Sequence, residues 1–357
     1  MIKPITDYSD IEKNLFVTSI LVDINEDDTY SVYFECFKTT TKTSNTTVEG
    51  ERVVIHVNAT TLDDLITNAG SQASLKITYS QNRVLLFTKK AAAKGIDDIL
   101  NLFTHSPEFV VSSQIGIWDN DPERINTIIL KGERFLGPYL STQLKNTSLA
   151  VSNSNMETVR KLYNDSTIGS KISFAPIISI DDTTAGTKLE ISGSGVLKNY
   201  KLIDTLKSSQ IIDVNFLTDN VLSTVIKAQN PDVPAKAVAL RVLKSKTKTK
   251  YRYDAGRFLV NKDVVIHCVF DGSQNKLNLS NENVKKIEKG ASDILKRKWN
   301  ILFKEYQLKD IDVLGIERQF YRHFPHQSNK DLLNRTMLSL EVKVIVDSTS
   351  DPKDFTD

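Results

Sequence analysis

The chain has 357 residues, of which 40% are hydrophobic and 25% charged, and its 46 Lys and Arg nearly balance 44 Asp and Glu for a net charge of +2. That length exceeds what one core usually organises, so two or three domains are expected. The balanced charge excludes the diffuse basic field of a general nucleic-acid binder, and any basic site must be local.

No run of 18 or more apolar residues occurs, so no membrane-crossing helix is expected. The start, MIKPITDYSD, lacks a basic region followed by an apolar one, so it does not read as a secretory signal. Cys36 and Cys268 both fall in strand-like stretches without metal-like spacing, and both read as small core hydrophobes.

In chain order, NLFVTSILVDI is a near-continuous apolar run, the pattern of a strand covered on both faces. The turn NEDD leads to a second strand, TYSVYFECF, and ERVVIHVNA is a third. In TTLDDLITNAGS, Thr60 or Thr61 can cap a helix whose first turn carries Asp63 and Asp64. RVLLFT is a strand, and KKAAAKGIDDILNLFTHSPEF is a helical pair broken near Gly95. FVVSSQIGIW is a further strand, and DNDP (119–122) marks a boundary.

PERINTIILKGERFLGPYLSTQLKN and NMETVRKLYND then read as helical, with TSLAVSNSN a polar loop between them. SFAPIISI, TKLEISGSGVLKN and YKLIDTLKS are strands of a small sheet, and NPDVP (230–234) is the next joint. Two long strands, AKAVALRVLKSKTKTKYRY and GRFLVNKDVVIHCVFDGS, form a hairpin through DAG (254–256). The following helix places Val284, Ile287, Ala291, Ile294 and Ile301 or Leu302 on one inner side. IDVLGIERQFYRHF is a second helix that must end before Pro325, MLSLEVKVIVD is a last strand, and DSTSDPKDFTD has little reason to be ordered. The pattern predicts an α+β protein with domains at 1–120, 121–233 and 234–357, each a mixed or antiparallel sheet flanked by helices.

The signatures of reactive sites are missing: there is no GxxxxGK[ST], HExxH or GxSxG. SGSG (192–195) lacks phosphate-loop spacing and interrupts a strand pattern, as a bulge or tight turn would. His323 and His326 flank a proline that ends their helix, and no third ligand stands nearby. The acidic pairs Asp63-Asp64, Asp97-Asp98 and Asp181-Asp182 sit at helix starts or turns, where capping explains them. Neither catalytic residues, nor a cofactor, nor a metal is expected.

Two basic features remain. Lys285, Lys286, Lys289, Lys296, Arg297, Lys298 and Lys304 crowd one helix. That pattern fits a core-packing helix with a solvated outer face, the alternative being a helix that meets an anionic membrane or an acidic partner. In VLKSKTKTKYRY, Lys244, Lys246, Lys248, Lys250 and Arg252 occupy every second position, so a strand projects all five to one side. The same side earlier carries Leu240 and Val242, so this face is expected to change from buried to wet near Lys244. The comb is the candidate contact for anionic headgroups or an acidic partner surface, and lysines on such an edge also discourage aggregation.

Four stretches in order resemble the GerAC-type C-subunit lipoproteins of spore germinant receptors. DYSDIEKNLFVTSILVDI is similar to the family's N-terminal segment and first strand. RVLLFTKKAAAKGIDDILNLFTHSPEFVVSSQIGI resembles its strand, helix pair and following strand. VALRVLKSKTKTKYRYDAGRFLVNKDVVIHCVFDG resembles its long hairpin, and LKDIDVLGIERQFYRHFP its late helix. The chain departs from the family around Ser19, where a Gly is usual, in YKLIDTLKSSQIIDVNFLTD, which lacks common Gly and Trp positions, and in having no lipid-attached cysteine.

The resemblance implies a non-enzymatic protein tethered by an N-terminal lipid, attached just upstream of Ile5–Asp7, to the outer face of the spore inner membrane. It further implies work with integral-membrane A and B subunits in a receptor that triggers germination. Nucleic acid is not an expected partner. An extracytoplasmic lipoprotein that binds a small molecule is the alternative reading.

Overall fold

The computed structural model describes residues 13–41, 48–151, 157–167, 169–183, 186–327 and 330–347. The expected lipid-attachment region near Ile5–Asp7 lies outside the described residues, as does the C-terminal tail beyond Asp347. The fold is α+β, and the chain gathers into two compact units. The first holds Met1–Lys145, Met156–Thr167 and Ser173–Thr205, and the second holds Asn146–Asn155, Ile168–Ile172 and Leu206–Asp357.

The first unit contains β1 (Asn14–Ile24), β2 (Tyr30–Thr41), β3 (Val48–Ala59), α1 (Leu62–Gln72), β4 (Lys76–Thr78), β5 (Val84–Thr88), α2 (Lys89–Lys94), α3 (Asp97–His105) and β6 (Gln114–Trp118). It continues through α4 (Arg124–Thr127), α5 (Leu136–Val151), α6 (Val159–Asp165), β7 (Ile172–Thr183), β8 (Gly186–Lys198) and β9 (Lys201–Lys207). One sheet runs in the order β3-β2-β1-β5-β6-β7-β8-β9, with β4 beside β1. Strands on both sides of residue 120 thus join the same sheet, because β6 pairs with β7.

The middle of this sheet is parallel, through β1 with β5, β5 with β6 and β6 with β7. Parallel neighbours need helical crossovers that cover both faces, which is why β1, β5 and β6 are buried along their length. Ile20, Val22, Phe34, Leu85, Phe87 and Ile117 fill one core, while Leu21, Leu86, Trp118, Leu136 and Leu140 fill the other. β1 carries a bulge between Val17 and Ser19. The extra residue changes parity, so Leu15 and Val17 before it and Ile20, Val22 and Ile24 after it all enter one core.

Local chemistry follows the sequence closely in this unit. Thr61 caps α1 by accepting from the Asp64 amide at 3.2 Å, and Gly95, at φ 137°, separates α2 from α3. SGSG lies inside β8, where an added Cβ at Gly195 would fall 2.3 Å from Ile117. Three stretches differ: residues 109–113 form a turn before β6, residues 128–135 interrupt the expected helix between α4 and α5, and α5 continues through 147–151, where a loop is expected.

The second unit contains α7 (Ser208–Leu217), β10 (Thr224–Gln229), β11 (Ala237–Asp254), β12 (Arg257–Ser273), α8 (Asn281–Leu308), α9 (Ile316–His323) and β13 (Thr336–Val346). Its sheet runs β10-β11-β12-β13, with β12 and β13 parallel. α7 and β10 fall in a stretch for which the pattern predicts no element. The hairpin turn is two residues, Ala255 and Gly256, at φ 47° and 77° between paired Asp254 and Arg257. Both values are positive, as the twist of a tight hairpin demands.

The inner stripe of α8 is Ile287, Ala291, Leu295, Trp299, Leu302 and Tyr306, while Ile294 and Ile301 are exposed. The expected stripe through Ile294 is therefore corrected. Steps of four and three residues track one face, and Ile294 and Ile301 sit one residue, about 100°, to the side of Leu295 and Leu302.

Candidate interaction surface

β11 runs past its neighbour on one side. β10 pairs only with Ala237–Val242, so from Leu243 onward β11 has β12 on one edge and, among the described residues, no strand on the other. A bulge lies at this point, between Val242 and Lys244. Before it Val238, Leu240 and Val242 are buried, and after it Thr247 is buried and Thr249, Tyr251 and Tyr253 are half-buried. The inserted residue, Leu243, switches the parity.

Lys244, Lys246, Lys248, Lys250 and Arg252 all lie exposed on one face, as the alternation predicts. The expectation that this face begins buried is corrected. It is the outer face throughout, continuous with Arg241, and the bulge carries the buried set onto the odd-numbered residues.

The inward residues fasten this half of the strand. Tyr251 stacks on Phe258 at 5.6 Å, Tyr253 meets Phe320 of α9 edge-on at 5.0 Å, and Phe258 meets Phe320 at 5.2 Å. The Thr247 hydroxyl donates to the Phe216 carbonyl at 2.6 Å, and its amide donates to the Asp219 carboxylate at 2.7 Å, which satisfies one group of the open edge. Asp312 holds α9 in place by accepting from the Ile316 and Glu317 amides, both at 2.8 Å. Burial raises its pKa above the usual carboxylate range, against the pull of these donors.

Beneath the comb, Lys262 points inward beside Thr249. Its ammonium donates to the Leu217 carbonyl at 2.7 Å and to the Thr249 hydroxyl at 3.2 Å. Burial pushes its pKa down to about 8, partly opposed by Asp219 and Asp312.

The comb's own charges are unequally engaged. Lys246 pairs with Asp219 and Arg252 with Asp254. Lys244, Lys248 and Lys250 make no ion pair among the described residues, although Asp263 stands opposite Lys248 in register. These three cations sit on one strand face, Lys248 and Lys250 two residues or about 7 Å apart and Lys244 four residues or about 13 Å before Lys248, a fixed spacing that can recognise an acidic surface.

Elsewhere, buried carboxylates tie elements together. Glu35 is fully buried and accepts five hydrogen bonds: from Thr18 (2.7 Å), Ser19 (3.0 Å), Arg52 Nε (2.7 Å) and the amides of Leu136 and Gly137 at the start of α5 (2.8 and 3.2 Å). Asp213 accepts from Trp299 Nε1 at 2.9 Å and pairs with Lys298 at 2.8 Å. His323 lies on α9 against Tyr251, and His326 is exposed beyond the helix end. Among the described residues no group of three His, Cys, Asp or Glu could hold a metal ion, and no helix is long and apolar enough to cross a membrane.

The chain thus combines a mixed-sheet unit with a unit built on a long hairpin whose outer face carries a comb of cations. Residues 7–180 match the family described as "Spore germination protein N-terminal domain", and residues 192–349 match "Spore germination B3/ GerAC like, C-terminal". The chain belongs to the GerAC-type C-subunit family of spore germination proteins.

It is similar to "Spore germination protein GerQC" of Bacillus cereus, with 24% identity over 276 residues, 76% of this chain and 74% of that one. Its fold is similar to the crystal structure of the GerBC protein, with a TM-score of 0.60 and 14% identity, over 92% of this chain and 96% of that one.

Proposed function

We propose that this chain is the non-enzymatic C subunit of a nutrient germinant receptor, assembled with integral-membrane A and B subunits at the outer face of the spore inner membrane and tethered by an N-terminal lipid. Membership of the germination family supports the process. The comb supports the mode of action: Lys244, Lys248 and Lys250 are solvent-facing, free of ion pairs among the described residues and fixed on a strand braced by α9. An acidic surface on a partner subunit is the counterpart such a comb fits, because it would supply the carboxylates that Asp219 and Asp254 supply to Lys246 and Arg252.

The test has two parts. Deleting the gene should abolish germination through one receptor, and unchanged germination with every nutrient would refute the reading. In the intact receptor, Lys244→Gln/Lys248→Gln/Lys250→Gln should reduce crosslinking to the membrane subunits. Full crosslinking in that variant would remove the comb from the interface while leaving the receptor role standing. Amino acids and sugars should leave the melting temperature of the isolated chain unchanged, whereas a tight binder would be shifted by several degrees.

A further inference from the structure

α8 exposes an aliphatic row that the fold does not use. Ile294, Ile301 and Leu308 are 44%, 62% and 86% exposed, and they follow one another at seven residues, two helical turns. The row therefore runs about 21 Å along one side of the helix. Arg297, Asn300, Lys304 and Glu305 join Ile301 and Leu308 in lining a shallow groove there.

The charge around the row is one-sided. Beside the row stand Arg297, Lys298 and Lys304 against Glu305; Lys298 is bonded to Asp213 at 2.8 Å and Glu305 to Lys309 at 3.1 Å, which leaves Arg297 and Lys304 without an ion pair among the described residues. Lys304 also lines a second, polar cleft of about 440 Å³ with Arg257 and Arg335 near the hairpin turn. Neither arginine makes an ion pair among the described residues. Apolar side chains and unpaired cations thus meet along the same half of α8.

We infer that this side of α8 is a seat for an anionic phospholipid bilayer, with Ile294, Ile301 and Leu308 entering the boundary of the acyl region while Arg297, Lys304, Arg257 and Arg335 meet phosphates. A long amphipathic helix with low mean hydropathy and cations beside its apolar row lies in the plane of such an interface rather than across it. α8 is not apolar enough to span. A second copy of the chain fits less well, because pairing two rows would press Arg297 and Lys304 of one copy against those of the other. α8 covers the sheet face opposite to the comb, so a bilayer seated along α8 leaves Lys244, Lys248 and Lys250 directed away from the lipid.

The experiment uses the full chain and sedimentation with vesicles of phosphatidylcholine alone or mixed with phosphatidylglycerol. The chain should bind the anionic vesicles, more weakly at high salt, and leave neutral ones unbound. Arg297→Gln/Lys304→Gln should lower the partition coefficient about 10- to 30-fold, and Ile301→Glu/Leu308→Glu should abolish binding with an unchanged circular dichroism melt. Lys248→Gln/Lys250→Gln, on the other sheet face, should bind as the parent does.

The inference is overturned if the parent chain ignores anionic vesicles, if it binds neutral ones equally, or if only the comb variant loses binding. A concentration-dependent dimer that Ile301→Glu/Leu308→Glu dissolves would assign the row to a second copy instead. Vesicle binding by the isolated chain does not depend on the receptor role, so the two can fail separately.

Discussion

The substitution Glu35→Gln tests whether the buried carboxylate holds the first unit together. The carboxylate ties two strands to a helix: β1 through Thr18 and Ser19, β3 through Arg52, and α5 through its first two amides. Oε1 faces two donors with no acceptor capacity, Arg52 Nε and the Leu136 amide. Oε2 faces the Gly137 amide and two hydroxyls that can turn to accept. The side-chain nitrogen that the substitution introduces is therefore forced to the Oε2 side, where it opposes the Gly137 amide.

One buried donor then goes unsatisfied, at about 1–3 kcal/mol, and Arg52, 19% exposed, loses its counter-ion. Removing one partner of a buried pair costs about 3–5 kcal/mol in all. With a urea dependence near 2 kcal/mol per molar, the midpoint should fall by about 2 M. Trp118 reports on the first unit, provided Trp299, which lies in the second, is replaced by Phe in both parent and variant. Hydrogen exchange at the Leu136 and Gly137 amides should speed up in the same variant. A loss below about 1 kcal/mol with an unchanged slope, or unchanged exchange at those amides, would refute the reasoning.

Other expectations follow from single positions. Lys262 has a folded-state pKa of about 8 against the usual 10.5, so the unfolded chain holds more protons between those values and stability rises with pH across that window. The charged form costs roughly 3 kcal/mol below pH 8, so the stability of the parent minus that of Lys262→Met, by urea melts, should grow by about that amount from pH 8 to 10.5; a flat difference would refute it. Ala255 holds φ 47° at the hairpin turn, where Asn is better tolerated, and Ala255→Asn should raise stability by about 0.5–1 kcal/mol in thermal melts. An added Cβ at Gly137 would fall 2.0 Å from the Thr18 carbonyl oxygen, so Gly137→Ala should destabilise the first unit at least as much as Glu35→Gln, and a wild-type melt would show that β1 and α5 are not so close.

The elements were legible wherever local chemistry decides them. The first strand of the chain, the cap at Thr60 or Thr61, the break near Gly95 and the hairpin through DAG each rest on a few adjacent residues; Thr61 is the cap, and the hairpin turn tightens to Ala255 and Gly256. The parallel pairing of β1, β5, β6 and β7 rests on contacts far apart in sequence, and only the two-faced burial of NLFVTSILVDI hinted at it. α7 escaped because it buries Asp213 and Asn215 beside Ile211, Val214, Phe216 and Leu217, so no polar face marks its period.

The bulges at Thr18 and Leu243 set a sharper limit. Strand alternation tells which residues share a face only while the register is unbroken, and one inserted residue exchanges the two faces from that point on. Across Leu243, the parity of VALRVLKSKTKTKYRY alone assigns the lysines to the buried side of Leu240 and Val242, and the sheet resolves this conflict by inserting a residue rather than by exposing its core. The conflict itself is visible in the sequence: an apolar comb on even positions that turns basic without changing parity must either leave its cover or slip by one. Here it slips, Tyr251 and Tyr253 take the inward places against α9, and five cations are delivered to a face that was never part of the core. Such a parity conflict in a long strand therefore locates a bulge, and the charges just beyond it are surface charges on a braced backbone.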